Sequence, residues 1–140
     1  TIESLSFNEG FKEVKIYKEV EADFYTRKSL FRSIIQNLLS NAIKYRKRNT
    51  ENTIKIRFTK KGPDRFLFEI SDTGIGIKKE FLDDIFIKSY STNRGIENFG
   101  AGLAIVKDNV QRLNGEIRVS SKYGKGSVFS VVFHQKQIIN

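Results

Sequence analysis

The segment from about Leu30 to Arg46 constrains the fold most: its apolar residues recur at helical spacing, and a polar stripe runs along the border of the apolar arc. At about 100° per residue, Phe31, Ile35, Leu38, Leu39 and Ala42 share that arc, with Asn37, Asn41, Lys44, Tyr45 and Arg48 clustered beside it. Arg32, Gln36, Ser40 and Lys47 lie nearer the opposite, solvated side. Such a helix lays its arc on a core and carries its amides at the rim of that core. Thr26 or Ser29, in the polar connection before it, is expected to cap its start.

Strand patterning flanks the helix. Val14 to Val20 alternates, as do Ile54, Ile56 and Phe58 with Lys55 and Arg57. The stretch Lys-Lys-Gly-Pro-Asp-Arg from 60 to 65 makes a turn, and Phe66 to Ser71 returns as the second strand of a hairpin. In that strand Phe66, Phe68 and Ile70 share one face, and the two-residue period puts Asp72 on the same inward side. An inward carboxylate must find a donor, a proton or water, because an unpaired buried charge is costly. Asp72 opens the run Asp72-Thr73-Gly74-Ile75-Gly76, whose glycines let the chain turn and let a flat ring approach the backbone. Read together, the amide-bearing helix and this strand end describe a nucleotide pocket. The amides and Lys44 suit a metal-bound triphosphate, and the neutral, hard oxygen of Asn41 suits Mg²⁺.

Beyond Gly76, a short helical stretch is expected from Lys78 to Ile85. Lys88 to Phe99, rich in Ser, Thr, Asn and Gly, reads as a mobile loop. Leu103, Val106, Val110 and Leu113 then form a helical stripe from near Gly102 to a stop at Asn114-Gly115. Gly100 and Gly102 precede the helix start, whose free N–H groups suit a phosphate. Strands follow near Glu116 to Ser121 and Ser127 to Phe133, joined by Lys122-Tyr123-Gly124-Lys125-Gly126. With 140 residues and 39% hydrophobic content, the pattern describes one domain over 1–140, without internal repeats.

Composition narrows the function classes. The absence of cysteine excludes disulfides and thiolate metal sites. The formal charge of +9 is scattered over every segment, and no basic stripe interleaved with aromatics accompanies it, so nucleic acid is not an expected partner. No apolar run approaches bilayer length, and TIESLSFNEG lacks the basic flank and apolar core of a signal peptide, so a cytoplasmic domain is expected. The start at Thr1 reads as a piece of a longer protein, leaving open a membrane anchor elsewhere in the parent.

The ordered blocks NLLSNAIKY, ISDTGIGI, a flexible loop, FGAGLAIVK and GKGSVFSVVF resemble the ATP-binding catalytic domain of sensor histidine kinases. That domain sits within the GHKL clan, which also holds DNA gyrase, the mismatch-repair ATPases and a heat-shock chaperone. The likeness runs from roughly Lys15 to Phe133. LFRSIIQNLLSNAIKY is similar to the family's N box, SDTGIGI to its G1 box, IFIKSYST to its F box, GAGLAIVK to its G2 box and GKGSVF to the closing glycine block. The resemblance implies an α+β, two-layer α/β sandwich (the Bergerat fold), a mixed, mainly antiparallel sheet covered on one face by about three helices. It also implies ATP and Mg²⁺ as ligands. Asn41 would coordinate the metal, Asn37 and Lys44 would face the phosphates, and Tyr45 would lie against adenine or ribose. Asp72 would accept a hydrogen bond from the exocyclic amine, Gly74 and Gly76 would give the close approach, and Ile77 would sit behind the ring. Phe86, Ser91, Thr92, Arg94, Gly100, Ala101, Gly102, Leu103 and Ser127 would complete the nucleotide site through the F box, the lid and the closing block.

The departures from the family pattern are specific. The first glycine of the G2 box falls on Asn98 and its first leucine on Ala101. The second aromatic of the F box falls on Ser89, with Tyr90 next, and Ser91 stands where many relatives place an arginine, a role open to Arg94. Asn37 occupies the position where ATP-hydrolysing members and anti-sigma serine kinases generally carry a glutamate base, and an amide takes no proton at neutral pH. The resemblance therefore implies a γ-phosphoryl transfer to a histidine on the parent's own dimerisation and phosphoacceptor domain, with a response regulator downstream. A degenerate nucleotide-binding or scaffold domain without turnover is the alternative, and an anti-sigma-type serine kinase is disfavoured by Asn37. His134, the only histidine, follows the last strand without an acidic neighbour and reads as a surface residue, so no catalytic residue of the transfer is expected in this segment.

Overall fold

The computed structural model describes residues 14–20, 26–48, 50–87 and 100–134. Strand β1 (Val14–Val20) runs parallel to β2 (Asn52–Lys60), and a parallel neighbour requires a crossover, here helix α1 (Lys28–Lys44). The tight turn after β2 returns the chain as β3 (Arg65–Asp72), antiparallel to β2 with Phe58 opposite Phe68 and Ile54 opposite Asp72. A 3₁₀ turn (Lys79–Phe81) and helix α2 (Gly100–Arg112) lead to the hairpin of β4 (Glu116–Lys122) and β5 (Gly126–His134). Strand β5 pairs antiparallel with both β3 and β4, giving a five-stranded sheet of order β1-β2-β3-β5-β4. This is the expected mixed, mainly antiparallel sheet of an α+β sandwich. Among the described residues it carries two α-helices and the single 3₁₀ turn, where about three helices were expected.

The core lies between the sheet and the helices. Ile54, Ile56 and Phe58 of β2, Phe66, Phe68 and Ile70 of β3, and Phe129, Val131 and Phe133 of β5 meet Leu38, Leu39 and Ala42 of α1 and Leu103, Val106 and Val110 of α2. Phe31 joins the layers, meeting Phe58, Phe68 and Phe133 edge-on at ring separations of 6.0, 5.7 and 5.5 Å, the geometry favoured by aromatic quadrupoles. No described helix is long and apolar enough to cross a membrane.

Several local expectations shift. Helix α1 begins at Lys28, and its N-cap, Arg27, makes no side-chain cap bond, so neither Thr26 nor Ser29 caps it. The Arg27 carbonyl instead accepts from the N–H groups of Leu30 and Phe31. The helix ends at Lys44, leaving Tyr45 as C-cap rather than as a helical residue. Its buried arc includes Ile34, fully inaccessible and outside the arc read from spacing, whereas Phe31 and Ile35 are partly buried. The cause is tertiary: α1 packs against α2 as well as the sheet, so a second flank of the helix is covered. Between Lys78 and Ile87 the turns are closed by i to i+3 bonds (Phe81 to Lys78, Asp84 to Phe81, Ile87 to Asp84), because so short a segment, anchored by buried Ile85, does not establish an α-helix. At the end of α2, Asn114 takes a left-handed φ of 58° and Gly115 N–H bonds the Val110 carbonyl at 2.9 Å, stopping the helix where the sequence places the stop.

Ile34→Ala is expected to lower unfolding stability by about 2–5 kcal/mol, the range for truncating a fully buried Ile, with Ile35→Ala costing less. Urea denaturation of both variants checks the order; equal losses would contradict the two-sided burial of α1.

Candidate functional site

Three segments converge at one end of the sandwich: the end of α1, the loop from Asp72 to Ile77, and the β4–β5 turn. The Tyr45 carbonyl accepts from Ile75 N–H at 2.9 Å, and the Ile75 carbonyl accepts from Gly124 N–H at 2.6 Å. Thr73 ties the loop base to β2, its N–H bonding the Thr53 carbonyl at 3.1 Å and its Oγ1 accepting from Thr53 N–H at 2.9 Å. Two glycines make this convergence possible. Gly76 has φ 77° and passes so close to the Lys122 carbonyl that a Cβ would collide with it. Gly126, at φ 132°, lies in the same way against the Asp72 carbonyl.

Asp72 is the chemical centre of the convergence. Its inward, half-buried position follows from its register opposite Ile54 and Ser127. Burial pushes its carboxyl above the usual aspartate range, against the backbone N–H groups of Gly74 and Ser127, which pull it down. The Gly74 N–H bond to Oδ1 is 2.8 Å long. A carboxylate can accept about four hydrogen bonds, so these two backbone donors leave capacity for a ligand donor. Asp72 shares a cavity of about 10 Å³ with Asn41, Tyr45, Gly76, Ile77 and Ser127. That volume holds about one water, so a ring enters only if the lining parts. A larger hollow of about 660 Å³ runs along β1 and β2 past Tyr17, Lys55 and Arg57. Its charged lining residues Lys18, Glu19, Lys55 and Arg57 are all exposed, and we therefore place the candidate site at the half-buried Asp72.

Asn37 is held one helical turn before Asn41. Its Nδ2 donates to the Ser33 carbonyl at 2.8 Å and to Ser33 Oγ at 3.3 Å, and its Oδ1 would lie 3.2 Å from a Cβ placed on Gly102. The first turn of α2 thus packs directly on the amide of Asn37. Lys44 is exposed beyond Asn41. Leu103 is buried in the core, and Phe86 packs edge-on against Phe129 with the Lys107 ammonium 5.8 Å from its ring. Ser91, Thr92 and Arg94, with the segment Lys88 to Phe99, lie outside the described residues, as does the side chain of Ala101; Gly100 opens α2. The structure therefore gathers Asn41, Tyr45, Asp72, Gly76, Ile77 and Ser127 around one cavity, sets Asn37 and Gly102 beside it, and gives Phe86 and Leu103 packing roles. Among the described residues no group of three His, Cys, Asp or Glu could hold a metal ion. An Mg²⁺ site built from one amide oxygen and ligand phosphates is compatible with that donor set.

Two residues that spacing did not single out organise the site. Asn52, buried at the start of β2, bonds the Lys47 N–H and carbonyl at 2.8 Å each and fixes the chain leaving α1. Ser121 accepts from Ile77 N–H, donates to the Gly126 carbonyl and meets Ser127 Oγ, each at 2.8 Å. The two-residue period of β4, which puts Ser121 on the inward side with Ile117 and Val119, is the signal that could have found it.

Comparison with known proteins assigns the fold. Residues 26–137 match the family of histidine kinase-, DNA gyrase B-, and HSP90-like ATPases. The chain belongs to this ATPase family. Within it, the chain is similar to the sensor protein RprX of Bacteroides fragilis (strain YCH46), 38% identical over 103 residues that cover 71% of this chain and 20% of RprX. It is similar as well to the sensor histidine kinase YvrG of Bacillus subtilis (strain 168), 31% identical over 133 residues, covering 93% of this chain and 22% of YvrG. The chain thus spans about a fifth of the length of these curated relatives. Among solved structures, the catalytic domain of histidine kinase ThkA shares the fold with a TM-score of 0.77 at 19% identity, covering 96% of this chain and 91% of that one. The mycobacterial sensor histidine kinase MprB does so with a TM-score of 0.75 at 23% identity, covering 88% and 83%. Within the ATPase family, this domain is of the sensor histidine kinase type.

A folded-state carboxyl raised above its unfolded value penalises the fold once the group ionises, and the penalty disappears at low pH, where both states hold the proton. Asp72→Asn, which keeps an acceptor for Gly74 N–H, is expected to raise stability at about pH 7, with the advantage vanishing below about pH 3. Urea midpoints across this range test it; a variant less stable than the parent at neutral pH would refute the burial argument.

Proposed function

We propose that this domain binds Mg-ATP between α1, the Asp72–Ile77 loop and the first turn of α2, and presents the γ-phosphoryl group to a histidine on a separate dimerisation and phosphoacceptor domain. The observation that carries the reading is the inward, half-buried Asp72 sharing one cavity with Asn41, Tyr45 and Ser127. Asp72 accepts from the exocyclic amine of adenine, whereas guanine offers a carbonyl oxygen at that edge and is repelled. Asn41 provides an oxygen to Mg²⁺, which when bound neutralises charge on the phosphates. Asn37 and Lys44 face the phosphates, and Tyr45 and Ile77 flank the base. Gly74 and Gly76 keep the loop thin, and Phe86 supports the site from the core. Ser91, Thr92, Arg94 and the start of α2 from Gly100 to Gly102 cradle the phosphates, while Leu103 anchors that turn in the core. Support for nucleotide binding comes also from full-length ShkA, a neighbour of TM-score 0.76 and 24% identity, covering 94% of this chain and 27% of that one, whose crystal structure is a complex with AMPPNP.

In this reading the transfer is positioning and charge stabilisation, with the nucleophile supplied by the acceptor domain. Asn37, an amide whose nitrogen is spent on Ser33, cannot deprotonate water, which favours transfer over hydrolysis. In this reading the domain works in the cytoplasm within a two-component system, and the phosphoryl group passes from the acceptor histidine to a response regulator.

Calorimetric titration with a non-hydrolysable ATP analogue and Mg²⁺ is expected to show saturable binding; no heat at millimolar ligand would end the proposal. Asp72→Asn should weaken that binding by about 1.5–3 kcal/mol, the scale of a hydrogen bond to a charged group. Incubated with ATP, the fragment alone should release phosphate slowly, whereas joined to its parent's acceptor domain it should form phosphohistidine. Rapid phosphate release by the fragment would instead favour an ATPase or serine kinase.

A further inference from the structure

We infer that Ser121 is a positioning residue that makes Ser127 an obligate hydrogen-bond acceptor toward the base, so that base choice is set by Asp72 and Ser127 together. The inference rests on the nucleotide-binding reading above and follows from counting protons. A hydroxyl has one proton and two lone pairs. The Gly126 carbonyl can only accept, so the Ser121 proton goes to it across 2.8 Å. Ile77 N–H can only donate, so it takes one lone pair of Ser121 Oγ, also at 2.8 Å. The remaining 2.8 Å contact between Ser121 Oγ and Ser127 Oγ must then have Ser127 as its donor, into the second lone pair of Ser121. The valence of Ser121 is filled, and the only proton of Ser127 is consumed.

Ser127 is buried, and it lines the cavity directly opposite Asp72 in the β3–β5 register. With its proton committed to Ser121, its oxygen offers lone pairs alone. Beside it Asp72, in its ionised form, also only accepts. The side chains at this end of the cavity therefore demand donors, and the exocyclic amine of adenine, with two N–H bonds, meets that demand. The O6 carbonyl of guanine faces lone pairs instead. Ser121 acts at one remove: it touches Ile77, Gly126 and Ser127 and sets their polarity, without itself lining the cavity. Its bond to Ile77 adds to the Gly124–Ile75 backbone bond in holding the Asp72–Ile77 loop on the β4–β5 hairpin, so one hydroxyl serves both base recognition and loop anchoring.

The test measures affinities of the 140-residue chain for non-hydrolysable ATP and GTP analogues with Mg²⁺, by competition titration, in the parent and in Ser127→Ala, Ser121→Ala and Ser121→Thr. Ser127→Ala keeps the Ile77 and Gly126 bonds; it should lose roughly 2- to 10-fold in ATP affinity with GTP affinity not falling, the scale of one neutral hydrogen bond. Ser121→Ala frees the Ser127 proton to donate, so GTP should gain and the ATP-to-GTP ratio should narrow by a similar roughly 2- to 10-fold factor, while Ser121→Thr restores the parental ratio. A merely structural serine would lower both nucleotides equally, and that result, or an unmoved ratio in Ser127→Ala, overturns the inference. Should Ser121→Ala fail to fold, Ser127→Ala decides alone. Binding of neither nucleotide by the parent would overturn the nucleotide-binding reading and this inference together, whereas a parental preference for ATP left intact by Ser127→Ala would overturn this inference only.

Discussion

The pairing of β3 with β5, which sets Asp72 opposite Ser127, is the constraint on which the rest of the site depends. Register in a sheet is all-or-none for side-chain direction, since a slip of one residue would turn Asp72 to the solvent face and bring Ser71 inward. What holds the register is hydrophobic: Phe66, Phe68 and Ile70 face the helices along with Phe129, Val131 and Phe133, and all are buried. The polar pair at the end of the two strands is thus placed by a core that has no chemical function. Gly126 lets β5 begin hard against the Asp72 backbone, and the Ser121 hydroxyl ties that beginning to the loop beyond Asp72.

Helix α1 links that strand end to the first turn of α2. As the crossover between parallel strands it must lie across the sheet, and α2 covers a second flank, so its partly buried amides fall where the layers open. The bond from Ile75 N–H to the Tyr45 carbonyl ties the helix end to the same loop that carries Asp72. Asn37 is preset in the same manner: Ser33 takes its amide nitrogen, and its oxygen is directed toward the first turn of α2. Fixing such groups before a ligand arrives limits the ordering cost of binding. The carboxylate is the counter-entry, since its desolvation weighs against the fold above its own pKa. A buried carboxylate whose desolvation weighs against the fold is a residue that function rather than stability explains.

Membership of the ATPase family places these observations among known folds. In the proposed reading, the carboxylate at position 72 serves nucleotide recognition and the amide at position 37 stands where a general base would be needed for hydrolysis. That combination is the basis of the proposal that the domain hands its phosphoryl group to another domain. The match covers about a fifth of each of the curated relatives RprX and YvrG.

By itself the sequence determined the elements and the faces: the alternation in β2 and β3, the inward turn of Asp72, the stop at Asn114-Gly115 and the amide stripe on α1 are all periodicity or local backbone chemistry. Periods of 2 and 3.6 are properties of single segments, so they can be read without knowing what each segment touches. Tertiary structure alone decided what depends on a second segment. Ile34 is buried because α2 covers a flank that spacing left open, and α1 starts without a side-chain cap. Lys78 to Ile87 settles into 3₁₀-type turns over a buried Ile85. Ser121 and Asn52, ordinary polar residues in the sequence, become organisers only when Ile77, Ser127 and Lys47 are brought within hydrogen-bonding distance. A hydrogen bond is a property of a pair, and the pair exists only once the chain has folded.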